Sequence, residues 1–232
     1  MLKREITETA INSGASLVGI VSAQTIDSFP RTWVGWTVQD YTKKTDEILP
    51  EIRSVVVIGY YVWDDMLELA IRKGENWVYP GYFPLDILTL KVKENLQSEG
   101  FDAAYAHSIS LKRLAQLAGF GNYGKNSLII NPTYGPWIRL AAVLTNAELE
   151  ADTPFTQDLC GKCEQCLEVC PVGALAPFEV DDKKCLVGIN LANSNKLKVQ
   201  NELAKHEPVL SRNSHLMCMQ CQKACKYGNR QR

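Results

Sequence analysis

The stretch Cys160-Gly-Lys-Cys163-Glu-Gln-Cys166-Leu-Glu-Val-Cys170-Pro171 decides how this chain is read. Its cysteines are separated by two residues, two residues and three residues, and a proline follows, which is the spacing of bacterial ferredoxins that carry two 4Fe-4S clusters. Three thiolates at such short gaps wrap a loop around one cubane. The fourth begins a turn that points away from it, the proline redirects the chain, and in two-cluster proteins that thiolate serves the other cluster. Soft thiolate sulfur is the ligand that cluster iron favours. Downstream, Cys218-x-x-Cys221-x-x-x-Cys225 repeats the pattern one cysteine short, and Cys185 is left to complete it. The expected ligand sets are therefore crossed: Cys160, Cys163, Cys166 and Cys225 for cluster 1, and Cys170, Cys185, Cys218 and Cys221 for cluster 2. Structural zinc, which also uses four-cysteine sites, is the alternative, although zinc sites usually pair two short knuckles. Lys226 stands where a second proline would complete the motif.

Outside this motif the chain is ordinary. It has 232 residues, a formal net charge of −1 and 46% hydrophobic residues. That composition suits a packed core, and the near-zero charge gives no global field toward nucleic acid or an anionic membrane. No uninterrupted apolar stretch follows Met1-Leu-Lys-Arg-Glu5, so no secretory signal is expected. No run reaches the length of a membrane span. All eight cysteines lie between residues 160 and 225. Thiols so concentrated, in a chain that reads as cytoplasmic, point to metal rather than to disulfides.

The expected boundary is near residue 150, with a mixed α/β core domain over 1–150 and a ferredoxin-like domain over 151–232. In the first part, Ile6, Ala10 and Ile11 share one side of a helix. Ser16 to Val21 reads as a buried strand, and Val55 to Ile58, continuing through Tyr60, Tyr61 and Val62, is the best strand in the chain. Leu85, Leu88, Val92 and Leu96 recur at helical spacing, with Gly100 as the stop. A strand over Phe101 to Ala106, a helix over Leu111 to Ala118, a strand over Ser127 to Ile130 and a strand over Trp137 to Leu144 follow. Asn131 to Pro136 is a turn by composition. Residues 146–159 form an acidic connector, and Leu191 to Leu203 reads as a polar helix.

The cysteine set, with one cysteine isolated between two groups, resembles that of the epoxyqueuosine reductases and the related reductive dehalogenases. The likeness continues through Ala118 to Trp137, Leu140, Val143-Leu-Thr145, Pro171-Val-Gly-Ala174 and Val180-Asp-Asp-Lys-Lys-Cys185. It implies an α+β fold, in which a nitroreductase-like core domain bears a ferredoxin-like domain with two 4Fe-4S clusters. It implies a cobalamin between the two domains, reduced by the nearer cluster, with the protein supplying binding and redox tuning. A redox partner protein as electron donor and a corrinoid or small-molecule acceptor follow from it.

Two departures bear on the substrate. Epoxyqueuosine reductases place an aspartate, in an Asp-Ser-Ala-Pro context, where this chain reads Ala106-His-Ser-Ile109. His107 is a candidate proton donor by its near-neutral pKa, although a strand-end histidine without a catalytic role is preferred. The chain also stops soon after Cys225, so tRNA is expected to be an unlikely partner.

Within Gly119-Phe-Gly-Asn-Tyr-Gly-Lys-Asn126, Gly121 and Gly124 can bring backbone amides close to a cofactor, with Lys125 and Asn126 beside them; a tight turn is the equal alternative. The same glycines spell a dinucleotide fingerprint, but they follow a helix and precede a strand, which excludes the Rossmann arrangement. Asn131, Tyr134 and Gly135 form a turn that the resemblance makes a cofactor wall. Tyr105 and Tyr123 are further proton-donor candidates, with packing the more ordinary role. Trp33, Trp36, Trp63 and Trp77 are candidates for an aromatic pocket, core packing again being preferred. His206 and His215 are not assigned as ligands. The leading expectation is an iron–sulfur oxidoreductase with a bound cofactor; the rival is an electron-transfer protein with no substrate of its own.

Overall fold

A computed structural model describes residues 2–34, 40–74, 76–106, 108–191 and 201–229. His107, Trp36 and the middle of the helix expected over Leu191 to Leu203 lie outside them. The elements that position the site are, in chain order, α1 (Leu2–Asn12), β1 (Leu17–Ser22), β2 (Ser54–Tyr61), β3 (Leu69–Lys73), β4 (Asn76–Val78), α2 (Phe83–Ser98), β5 (Ala103–Tyr105), α3 (Leu111–Leu117), β6 (Ile138–Thr145), α4 (Gln165–Glu168), α5 (Leu186–Leu191), β7 (Val209–Ser211), β8 (Ser214–Leu216) and α6 (Gln220–Lys223).

β2 is a near-continuous apolar run because both of its faces are covered. It lies inside an antiparallel sheet of order β1-β2-β6-β5. Alternate side chains point to opposite faces of a strand. Val56 and Ile58 therefore pack on one layer, with Ile6 and Ala10 of α1 and Leu85, Leu88, Val92 and Leu96 of α2. Val55 and Val57 pack on the other, with Leu114 and Leu117 of α3 and Ile129. Ile11, expected on the buried side of α1, is exposed; the buried stripe there is Ile6 and Ala10. α2 ends as expected, with Gly100 at φ +85°, and α3 ends at Gly119 with φ +79°, the left-handed stop that glycine adopts without strain.

The strand expected over Ser127 to Ile130 is shorter, covering only Ile129–Ile130 and pairing with Asn122–Tyr123. Ser127 is the reason. It takes φ +60° in the turn between those strands, a left-handed conformation that no extended strand accommodates.

A second antiparallel sheet has the order β7-β8-β3-β4. Its pairs Leu216 with Leu69, His215 with Ala70 and Ser214 with Ile71 bring the C-terminal part of the chain onto the N-terminal half. The boundary near residue 150 thus separates cysteine-free from cysteine-bearing sequence, while residues 209–216 complete a sheet with residues 69–78. The connector is likewise tied to the core: Ile20 N donates to Asp152 Oδ2 at 2.7 Å and Lys3 Nζ to Oδ1 at 2.7 Å. Among the described residues no helix is long and apolar enough to cross a membrane.

Ile58, fully buried at the centre of the first sheet, tests this layering. Ile58→Ala is expected to lower stability by about 3 kcal/mol in denaturant unfolding.

Candidate metal centre

The eight cysteines come together in two groups of four, and each group draws on both cysteine-bearing segments. Cys160, Cys163, Cys166 and Cys225 line a small cavity with Lys125, Leu159 and Tyr227. Cys170, Cys185, Cys218 and Cys221 line a much larger one. α4 packs against α6, which lays Cys166 and Cys221 side by side and lets the segments exchange their outlying cysteines.

The thiols register this grouping in their acidity. Cys166 is raised by burial and then by Cys160, Cys225 and Cys163. Cys218 is pushed up to about 11, by burial first and then by Glu207, Cys185 and Cys170. Cys221 is raised further, by burial and then by Cys218, Cys185 and Cys170. Thiols raised in this way, such as Cys218 and Cys221, need a cation beside them to become thiolates. Backbone and amide donors already face sulfur, among them Ala174 N to Cys170 Sγ at 3.2 Å and Asn122 Nδ2 to Cys160 Sγ at 4.0 Å.

The larger cavity, of about 290 Å³, lies between the second group of cysteines and the first sheet. Its wall is mostly apolar, with Leu111, Leu128, Ile138, Leu140, Leu186 and Met217. Three residues of that wall carry buried polar atoms with no hydrogen-bond partner among the described residues: Asn126 Nδ2, Ser127 Oγ and Arg139 Nε. Leaving such atoms unpaired costs about 1–3 kcal/mol each, so they are the atoms a ligand with acceptor groups would complete. Arg139 is otherwise fixed. Its Nη2 donates to Glu68 Oε2 at 2.8 Å and to Leu67 O at 2.9 Å, and its guanidinium lies 4.1 Å from the Tyr82 ring centre. Lys112, at the start of α3, shares the wall with Cys185 and Cys221. Burial pushes its ammonium down to about 8, and the two thiolates pull it back up.

Of the residues expected to bind a cofactor, Asn126 alone is among those lining the larger cavity. Gly121 and Gly124 are instead pressed against their own hairpin: a Cβ on Gly121 would lie 2.1 Å from Ile130 O, and one on Gly124 would lie 2.6 Å from Ile130 Cγ1. Lys125 borders the smaller cavity and pairs with Glu164 at 3.1 Å. Asn131 closes its own turn, accepting at Oδ1 from Thr133 N at 2.8 Å and Tyr134 N at 2.9 Å. Tyr134 packs on Tyr61, ring centres 4.8 Å apart.

This turn is a mount for the C-terminal tail, and its last residue, Pro136, also lines the larger cavity. Gly135, at φ +57°, meets the Tyr227 carbonyl so closely that a Cβ there would lie 1.9 Å from its oxygen. Trp137 Nε1 donates to Gly228 O at 2.7 Å, and Gln222 Nε2 to Pro136 O at 3.3 Å.

Tyr105 and Tyr123 are not among the described residues lining either cysteine cavity. Tyr105 carries Lys93 Nζ 4.9 Å from its ring centre, and Tyr123 packs on the core layer of α3. Trp33 and Trp63 are exposed, and Trp77 meets His215 edge-on at 4.8 Å, so they form no shared pocket. The sequence reading missed Ser127, Arg139, Glu68 and Lys112. The one available signal was a lone arginine inside the apolar run 137–144.

Comparison with known proteins agrees with this geometry. Residues 159–228 match the family described as a 4Fe-4S double cluster binding domain. An epoxyqueuosine reductase of Synechococcus sp. (strain RCC307) is 37% identical over 204 residues, covering 84% of this chain and 61% of that one. A crystal structure of epoxyqueuosine reductase with a tRNA-Tyr epoxyqueuosine-modified tRNA stem loop superposes with a TM-score of 0.67 at 21% identity, over 98% of this chain and 65% of that one. A reductive dehalogenase, whose structure is described as suggesting a mechanism for B12-dependent dehalogenation, has a TM-score of 0.56 at 16% identity, over 80% of this chain and 28% of that one. The chain spans about three fifths of the length of the curated relatives it matches.

The tRNA-bound neighbour overturns the expectation that tRNA is an unlikely partner. Net charge is a sum over the whole chain, whereas phosphate contacts need only a local basic surface. Arg31, Lys43, Lys44 and Arg113 line one shallow cleft with Asp27, Arg31 being paired with Glu47 at 2.8 Å, so cations outnumber acids there despite the overall −1.

The mount gives a direct test. Gly135→Ala is expected to displace the tail that carries Cys225 and to reduce the iron bound per chain, measured by iron and acid-labile sulfide analysis, while the core stays folded by circular dichroism.

Proposed function

We propose that this chain, which is epoxyqueuosine reductase-like and carries a double 4Fe-4S cluster binding domain, is an iron–sulfur reductase that delivers single electrons to a corrinoid bound against the larger cavity. The observation that carries the proposal is where that cavity lies. It adjoins Cys170, Cys185, Cys218 and Cys221, whereas the other four cysteines border only a small space. Electrons from a redox partner protein then enter at Cys160, Cys163, Cys166 and Cys225 and leave from the second group. The rival reading, an electron carrier with no substrate, gives no role to a cavity at that end.

The cysteines supply eight thiolates, in the crossed sets that their spacing predicts. Asn126 Nδ2 and Arg139 Nε offer donors, and Ser127 Oγ a donor or acceptor, to the polar edge of the cofactor. The apolar wall excludes water from its face. When bound, a corrinoid supplies a metal centre that accepts electrons singly and acts reductively on a substrate. A nitroreductase-like ancestry of the core belongs to the same reading.

For the substrate we propose the epoxyqueuosine of a tRNA stem loop, as named for the relatives. The basic cleft supports this. Arg113 lies in α3, one residue from Lys112 on the cavity wall, and stacks 4.6 Å from the Phe29 ring centre, so the cleft and the cavity share one helix. Guanidinium and ammonium groups there would hold phosphates and fix the register of the loop. His107, between β5 and α3, is the candidate proton donor in this reading.

Anaerobically purified protein should bind added cobalamin, seen as corrinoid bands that co-elute with it in gel filtration. Asn126→Ala and Ser127→Ala should each weaken that binding about tenfold, the size of one lost hydrogen bond. Protein that carries its iron yet takes up no cobalamin would sink the corrinoid part of the proposal.

A further inference from the structure

The cleft lined by Arg31, Lys43, Lys44 and Arg113 does not offer four equivalent cations. Arg31 is committed to Glu47 at 2.8 Å. The Lys44 ammonium donates to the carbonyls of Asp27 and Phe29, which fixes the chain just after the short helix Ala23–Asp27. Lys43 is exposed, and an ammonium there is a strongly hydrated point charge. Arg113 differs from all three. It is half-buried, it takes part in no ion pair among the described residues, and its guanidinium lies over the Phe29 ring, 4.6 Å from the ring centre.

Phe29 is a fixed support. It packs against the core layer that contains Val55, Val57 and Leu114. Its carbonyl accepts from Lys44 Nζ at 2.7 Å, and its N–H donates to Ile26 O at 3.3 Å. A guanidinium is planar, delocalised and weakly hydrated, so it stacks on π faces. Arg113 therefore brings the cleft a plane as well as a charge. Its neighbour in α3, Lys112, lines the larger cavity while Arg113 lines the cleft, because successive helix residues point about 100° apart. A ligand that spans both places sets one group against Arg113 and the next at the cavity.

We propose that Arg113 is the seat of an unpaired RNA base: the base that flanks the reacting nucleotide stacks on its guanidinium, with Phe29 as the layer behind. The inference rests on the tRNA substrate proposed above. Bases splayed out of RNA loops are held on aromatic rings or on guanidinium planes. Every base has a π face, so such a contact tolerates any of the four. The N–H edges of Arg113 stay available to a phosphate. Phe29 acts through Arg113 and is a positioning residue.

The test measures binding of a fluorescently labelled RNA stem loop to the anaerobically purified full chain, beside a fully paired duplex of the same stem. Arg113→Lys keeps the charge and removes the plane. It should weaken stem-loop binding about tenfold, while duplex binding and the salt dependence stay as in the parent. Phe29→Leu should reproduce part of that loss with Arg113 in place. Among stem loops made abasic at one loop position at a time, one should bind the parent and Arg113→Lys equally, which identifies the seated base. An Arg113→Lys variant that binds like the parent, one that loses stem loop and duplex alike, a Phe29→Leu variant without effect, or a loss that survives every abasic substitution would overturn the inference. A parent protein that binds no stem loop would instead overturn the tRNA reading on which it stands.

Discussion

The cysteine-bearing part of this protein depends on one constraint: the segment 217–228 must be clamped at both ends against the first half of the chain. At one end, β8 pairs with β3 and Met217 N donates to Glu68 O at 2.9 Å, so that Cys218 leaves the sheet at a fixed point. At the other, Trp137 Nε1 holds Gly228 O at 2.7 Å and Gly135 lets the Tyr227 carbonyl approach. Between these clamps α6 lies against α4. Without them, three of the eight sulfurs would have no defined position relative to the other five.

How much of this was legible follows from what kind of information each feature carries. The sheet around β2 was readable because an apolar, β-branched run buried on both faces has few other solutions. The crossed grouping of the cysteines was readable because ligand spacing is a local, covalent constraint. The second sheet was not. β3, β4, β7 and β8 are short, Val209 and Leu210 are exposed, and the pairing joins residues about 145 positions apart, which no periodicity records. The glycine-rich stretch misled for a related reason. Gly121 and Gly124 admit the neighbouring backbone of their own hairpin, and composition cannot distinguish that neighbour from a cofactor.

The polar half of the larger cavity was hidden in the same way. Ser127 and Asn126 read as ordinary turn residues, and Arg139 as one interruption in a strand. Only the fold makes them one wall, because β6 carries Arg139 past the turn that holds Ser127 at φ +60°. A serine in that conformation with an unsatisfied hydroxyl is a local strain of about 1–3 kcal/mol that packing elsewhere must sustain. Strain of this kind gathers where a protein receives a ligand.

The exchange of cysteines between the two segments also bears on how the protein is made. The group at Cys160, Cys163 and Cys166 waits for Cys225, and the group at Cys170 and Cys185 waits for Cys218 and Cys221. A ribosome that has delivered the whole first segment has therefore completed neither centre, and any truncated chain lacking the tail is short of sulfur at both. Neither centre therefore has its full set of sulfurs until the second cysteine segment has been made, and the two become complete within a few residues of each other.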